Sequence, residues 1–534
     1  MKYHLLISAV FAVLVACEKE PVTDQEPDPE EYDCSLQVSD SNLVVGTAER
    51  NDSLVFHLEN RDSIIRPLSC FSDYAVDTAA WSMKLVYADS SEQFLPYFGS
   101  LEIHEDSIRV DPYDWAPLTA IVNFRIPYSR RVKIRVHGRD ESIPDITHIF
   151  PEPGTDHSIP VYGLYADFHN NVTLSILDNQ GTERAIRTVH IRPEPLGRID
   201  CGPMTVTTDL YEDTLGLKFF LIQNTIYDSR GDIRWFSRYT GFKFFLLHDN
   251  LIAIQLYNDK GVPAPKVQDI RVMNLLGREV ALYDVPNRNH HEIIEKTPGG
   301  NLLVATNSEP YHTTADDTED AIVEIDRHTG EVARFWDLRE IFDPTRPRIW
   351  TEMPNDWCHL NSIQYDSTDN TLLISSKLQY FISKIDYESG AIRWIFGNHE
   401  NWKEPWQEYL LDPLNFDTSV HPDQDWTYAQ HMARLTGDGN VIVYDNGRKR
   451  PDVDFTRIHE FRVDSLNGTV ETIWTHDFDY STRTMGSVQV LENDNVLIGH
   501  GERGILMEIT REGGVVFEGK VKTYYRAYPV EFYQ

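Results

Sequence analysis

Between about residues 33 and 196, apolar and polar positions alternate in short runs. Examples are Leu54-Val55-Phe56-His57-Leu58, Lys133-Ile134-Arg135-Val136-His137 and Val172-Thr173-Leu174-Ser175-Ile176. Alternation at period two is the pattern of a strand with one buried face. Several such strands at short spacing predict one or two β-sandwich modules. A Pro-rich seam, Arg192-Pro193-Glu194-Pro195-Leu196-Gly197, marks the end of this region, since proline and glycine punctuate regular structure.

Beyond the seam the pattern repeats. A strand, a turn rich in Gly and Asp, and a strand ending in an aromatic recur six times, at 227–235, 274–283, 326–335, 386–394, 464–474 and 510–517. The turn residues supply hairpin geometry, and the terminal aromatics (Trp235, Tyr283, Phe335, Trp394, Trp474 and Phe517) are placed to pack between neighbouring sheets. A second hairpin, turning at Gly and Asn, recurs at 293–304, 433–443 and 488–498, and more loosely at 363–374. Two hairpins make one four-stranded blade. Six copies across residues 201–534, at roughly 56 residues each, predict a six-bladed β-propeller. A right-handed β-helix is the alternative, but its coils are shorter and lack this aromatic register.

Histidines sit just before the second hairpin: His290-His291 in the third unit, His359 in the fourth and His431 in the fifth. From His291 to Asn301 is ten residues, from His359 to Asn370 eleven, and from His431 to Asn440 nine. Because the innermost strand of each blade lines the central channel, the spacing predicts three imidazoles converging on the axis. Three imidazoles suit either a metal site or organic catalysis. The carboxylate or Cys company of a closed zinc site is absent at short spacing, so no metal is assigned. His500, in Gly499-His500-Gly501, reads as a loop residue.

Charge and the N-terminus narrow the setting. The formal net charge of −35 argues against nucleic acid as a partner. An anionic substrate would need positive charge gathered locally against that background. An apolar run at 5–16 is too short to span a bilayer, and it ends in Leu14-Val15-Ala16-Cys17, which matches a bacterial lipobox. Residues 1–17 therefore read as a lipoprotein signal peptide with lipidation at Cys17, and 18–32 as an acidic solvated tether. The location expected is an exported lipoprotein, periplasmic or anchored at the outer membrane or cell surface. In that oxidising compartment a Cys34–Cys70 bridge is open to formation, but sequence does not assign it.

The flanking motifs add a resemblance. Asp356-Trp357-Cys358-His359-Leu360-Asn361-Ser362, Ser375-Ser376-Lys377, Gln430-His431, Asp445-Asn446-Gly447 and Tyr525-Arg526-Ala527-Tyr528 resemble motifs of bacterial aryl-sulfate sulfotransferases. So do Ala116-Pro117-Leu118-Thr119-Ala120 and the stretch 159–167, which resemble that family's small β-domain. The resemblance covers about 112–534. It implies a family-type β-domain at 112–196 and the propeller at 197–534, leaving 33–111 as an added β-module of unknown role.

The resemblance further implies ping-pong transfer of a sulfuryl group from an aryl sulfate to a phenol through a histidine, without a nucleotide donor or any cofactor. The absence of a Gly-x-x-x-x-Gly-Lys-[Ser/Thr] loop agrees. It places the nucleophile at His431. His291, His359 and Lys377 are suited to the charge on the sulfuryl oxygens, with Asn361 as a neutral donor. One histidine, His359 or equally His291, could also carry the proton of the phenol. His290 is the other member of its doublet and a candidate for substrate contact. Lys377 stands where the family usually has Arg, which keeps the charge but loses the planar two-pronged grip.

The partners expected are small aryl sulfates and phenols, and the membrane through Cys17; a homodimer is compatible with the sequence. An insertion at 398–425, with Trp402 and Trp406, is either an aromatic wall for phenolic rings, or packing or a partner contact. Two other functions fit the histidines: a metal-dependent hydrolase or lyase, and a non-catalytic ligand-binding propeller.

Overall fold

The computed structural model describes residues 101–534 apart from 102, 179–180, 198, 200–201, 212–216, 257–266, 309–319, 348–355, 418–424, 453 and 534. Of residues 1–100 it describes only the backbone of six strands between Tyr3 and Pro96, which form one antiparallel sheet. Cys17, the tether at 18–32, Cys34, Cys70 and Cys201 lie outside the described residues.

The chain is all-β and forms two compact units. The first contains a five-stranded sheet built on the long strands Ala120–Val136 and Ile146–Val161, together with Asn170–Leu177 and Glu183–Ile191. Its alternation is the one read from sequence: Val132, Ile134 and Val136 are buried, as are Val172, Leu174 and Ile176. Two segments, 110–120 and 162–168, which apart from 110–111 fall within the 112–196 domain read from sequence, cluster with the second unit. The reason is polar as well as apolar. The buried Arg234 guanidinium donates to the Gly163 carbonyl at 2.9 and 2.7 Å.

The second unit is the six-bladed propeller. Its blades, in order, have outer hairpins whose strand pairs are Thr225–Asp228 with Ile233–Phe236, Val267–Met273 with Glu279–Glu295, Asp320–Ile325 with Val332–Asp337, Phe381–Asp386 with Ile392–Gly397, Arg457–Asp464 with Thr469–Asp477, and Ile505–Ile509 with Val515–Lys520. These are the six turns of the repeat. Blades two and three share the long strand Glu279–Glu295, which ends one and begins the other.

The ring closes twice. The C-terminal strand Ala527–Val530 supplies the inner strand of blade one, and Thr205–Asp209 adds an outer strand to blade six. Both pairings tie the end of the described chain back to its earlier strands and hold the ring shut.

In four of the blades the aromatic at the blade's end reaches the next blade's turn. Trp235 Nε1 donates to Leu275 O at 2.6 Å, Tyr283 Oη to Arg327 O at 2.8 Å, and Trp474 Nε1 to Arg511 O at 2.8 Å. In blade three the residue that does this is Trp336, bonded to Tyr387 O at 3.2 Å, and its neighbour Phe335 is 42% exposed. Strand alternation turns one of the two outward, and only the pairing register decides which.

Neighbouring inner strands are locked at one level by a repeated bond. Glu292 Oε2 accepts from Ile363 N (3.3 Å), Ser362 Oγ from Ala433 N (2.9 Å), Met432 Sδ from Val488 N (3.4 Å) and Ser487 Oγ from Ala527 N (3.5 Å). One residue before each lie His291, Asn361, His431 and Gly486. The position matching His291 and His431 is thus Asn361, with His359 two residues earlier. The hairpin turns differ in length between blades, so counting back from the turn misplaces it.

Candidate active site

The three histidines nevertheless converge. His359 adopts a left-handed backbone (φ 55°), as does His291 (φ 53°), a strained choice for non-glycine residues. Their rings stand 4.3 Å apart between centroids. His359 and His431 are buried and His291 is half-buried, and each is anchored through Nδ1.

His431 Nδ1 lies 2.7 Å from Asn446 Oδ1. The Asn446 amide nitrogen donates to Thr482 Oγ1 and to the Met485 carbonyl, both at 2.9 Å. Because a carbonyl can only accept, Asn446 must present its oxygen to His431, which fixes the proton on Nδ1 and leaves a lone pair on Nε2. That lone pair meets only a long 3.3 Å contact from the Met485 N–H. Gly486 follows with φ 139°, and a Cβ there would fall 2.3 Å from the Tyr444 ring. Burial, and next the Lys377 cation, hold His431 well below the ordinary histidine value, against the Asn446 bond. The ring is neutral at pH 7 and can attack.

His359 Nδ1 bonds to the buried Asp356 carboxylate. Asp320 fixes its backbone by accepting from His359 N at 2.7 Å and Leu360 N at 3.0 Å. Burial, then Lys377 and Lys243, push His359 well below its usual value. A proton reaching its Nε2 would be stabilised by Asp356.

His290 turns into the sheet instead, with Nε2 3.0 Å from Thr306 O and 3.3 Å from Asp320 Oδ1. Its Nδ1 meets His291 Nδ1 at 3.1 Å. The doublet therefore divides: His290 orients, and His291 faces the other two imidazoles. Lys377 is buried in the loop after Leu360–Asp366 and its hairpin partner, its N–H bonded to His359 O at 3.2 Å. It is not a solvent-facing strand end. Asn361 is fully buried; its amide nitrogen donates to Gln430 O at 2.7 Å, while its Oδ1 lacks a partner.

Five further residues of the site, Asn446, Lys243, Arg526, Arg434 and Glu292, are not singled out by the sequence; Asn446 stands there only as part of a motif. Lys243, on the inner strand Gly241–Leu246 of blade two, is 5% exposed and lies over the Tyr525 ring at 3.9 Å. Arg526 donates to Glu292 and to Asn361 O (2.6 Å), and Arg434 donates to Glu292 at 2.8 Å. Glu292 stays ionised despite burial because both guanidiniums lower it. Signals existed only for Asn446 and Arg526, in the quoted motifs. Lys243 had none, since its unit shows no histidine and no Gly-Asn hairpin.

His500 is a fully buried residue of the strand Val496–His500, bonded to Tyr444 Oη at 2.8 Å rather than looped into the channel. Trp402 is buried against Phe381 and under Arg346, and Trp406 Nε1 bonds to Ile341 O at 2.9 Å, so both pack the blade. A cavity of about 610 Å³ is lined by Ile294, Gln364, Leu435, Val490 and Tyr528. Its lining also takes in Glu292 and Met432, the residues that follow His291 and His431 in the chain, and runs from there toward the hairpin turns. Among the described residues no three His, Cys, Asp or Glu side chains are grouped as a metal ion would require.

Residues 217–528 match the family described as Arylsulfotransferase (ASST), and 107–193 match the Arylsulfotransferase Ig-like domain. The chain belongs to the arylsulfotransferase family. As a member it is an enzyme, an arylsulfotransferase. The arylsulfate sulfotransferase AssT of Escherichia coli O6:H1 is 23% identical over 522 residues, covering 74% of this chain and 84% of the relative. That of Lelliottia amnigena is 23% identical over 533 residues, covering 76% and 86%. Among solved structures, virginiamycin B lyase from Staphylococcus aureus is 12% identical, with a TM-score of 0.29 over 76% of this chain and 99% of that one. In this arylsulfotransferase the propeller match includes every histidine of the channel.

Proposed function

We propose that the protein moves a sulfuryl group from an aryl sulfate to a phenolic acceptor in two steps, through a sulfohistidine at His431. The observation that carries this is the Asn446 bond, which leaves Nε2 as the unprotonated nitrogen of a neutral imidazole. Its lone pair forms the nitrogen–sulfur bond while the sulfur–oxygen pair departs on the aryl oxygen. The acceptor phenol then reverses the step. Lys377 and His291 lie beside the sulfuryl oxygens, and the Met485 N–H, already directed at Nε2, can donate to one of them once Nε2 is occupied. His359, backed by Asp356, takes the proton of the incoming phenol at its free Nε2, and the leaving phenolate takes its proton from water.

The test is incubation with a chromogenic aryl sulfate and a phenol. Transfer by wild type, and a mass gain of one SO3 on the peptide bearing His431 when acceptor is omitted, are the expected results. Equal transfer by His431→Ala refutes the reading. We also propose export as a lipoprotein acylated at Cys17; labelled fatty acid incorporated by wild type and lost in Cys17→Ala is the expected outcome.

A further inference from the structure

Lys243 is the buried cation that the transfer reading leaves unused. Among the described residues its Nζ makes no hydrogen bond or ion pair; it lies over the rings of Tyr525 at 3.9 Å and Phe242 at 4.9 Å, and the Glu292 carboxylate acts on it only through its field. The Tyr525 hydroxyl is likewise buried and without a partner. An ammonium this deep and unpaired costs several kcal/mol unless something anionic meets it. A channel that leaves two polar groups unsatisfied side by side is built for a ligand oxygen.

The ladder fixes where that oxygen sits. The first hairpin of blade two pairs Leu246 with Ile252, and that of blade five pairs Leu435 with Val441, each closing a loop of the same length. Counting from there, Lys243 pairs with Gln255 and His431 with Tyr444, each the fourth residue of its second strand, with the bulge just before Lys243 in blade two and just after His431 in blade five. Lys243 and His431 thus occupy the same rung. Their blades, the second and the fifth, are three apart in a ring of six and face each other across the axis. His291 and His359, on the third and fourth blades, lie between them, and Lys377 follows His359. The charge effects run in the same order: Lys377 acts first on His431, and Lys243 first on His291.

Displacement at a sulfuryl centre, like that at a phosphoryl centre, keeps attacking and leaving atoms roughly in line. With His431 attacking from blade five, the aryl oxygen must leave toward blade two. We propose that Lys243 is a further catalytic residue, whose ammonium holds the aryl oxygen as it takes the electron pair of the breaking sulfur–oxygen bond. This rests on the transfer reading above. Lys243 forms no covalent bond; the phenolate takes its proton afterwards from water, and in the second step the same ammonium favours the ionised acceptor.

The test is a series of aryl sulfates whose phenols run from strongly to weakly acidic, with one fixed acceptor. Lys243→Met is expected to cost about 10-fold with the most acidic phenol and about 10³-fold with the least, the scale of losing one charge-stabilising donor. Lys243→Arg should recover most of the loss at the steep end. Should the Met variant not fold, Lys243→Gln, which keeps a donor without the charge, is expected to show the same steepening. A loss equal across the series, or none, overturns the proposal while leaving the transfer reading standing. A wild type that transfers from none of the donors overturns both.

Discussion

Replacing Asn446 by Asp changes one atom at the partner of His431 and adds a negative charge there. The existing bond is 2.7 Å from Nδ1, so the carboxylate would stand about 4 Å from the centre of the imidazolium charge. At an effective dielectric of about 20 the attraction is about 4 kcal/mol, or about 3 pH units on the histidine. Burial and Lys377 hold His431 well below its ordinary value in wild type, so the nucleophile is neutral through mildly acidic pH. In Asn446→Asp the protonated form should persist to higher pH. An imidazolium has no lone pair on Nε2, so kcat/KM should fall on its acid side. The assay is kcat/KM for a chromogenic aryl sulfate from about pH 4 to about pH 9, where a free-enzyme titration is read directly. We expect the acid limb to move up by about 2–3 units, less than the full Coulomb figure because the carboxylate also pays desolvation. Activity should approach wild type at the alkaline end. An unmoved acid limb, or a uniform loss at all pH values, would show that Asn446 does not set the charge of His431.

Three further outcomes follow from the same contacts. Glu292→Gln keeps the shape but leaves Arg526 and Arg434 without their shared carboxylate, and should cost about 3–5 kcal/mol in chemical denaturation; a cost under about 1 kcal/mol would contradict a paired, desolvated triad. His459 and His500 are lowered by burial to about 3, so the unfolded chain binds more protons as pH drops below the ordinary histidine value. Their contribution is complete above that value and lost on acidification toward about 3, at about 1.4 kcal/mol per pH unit for each group. His500→Gln should flatten the urea stability profile between about pH 7 and about pH 5 by that amount, and an unchanged slope would refute it. Asp356→Asn should slow transfer to weakly acidic acceptors more than to strongly acidic ones, read as kcat with matched KM; equal slowing would reduce Asp356 to packing.

Much of this architecture could be read along the chain because its causes are local. Hairpin turns need Gly, Asn and Asp at particular offsets, strands need alternation, and the blade-joining aromatics recur at the end of one strand, so six blades can be counted. His291, His359 and His431 are legible for the same reason, since each precedes such a strand. What lies across the channel is not local. The level of each inner strand is set by bonds to its neighbours, from Glu292 to Ile363 and from Ser362 to Ala433. Those bonds put Asn361, and not His359, in step with the other two histidines. The ring closes only when Ala527–Val530 joins Phe219–Ile222, more than three hundred residues away in the chain. That closure brings Arg526 to Glu292, Tyr525 to Lys243, and Lys243 to the blade facing His431. No window of sequence contains those pairs; packing and pairing over long separations decide them.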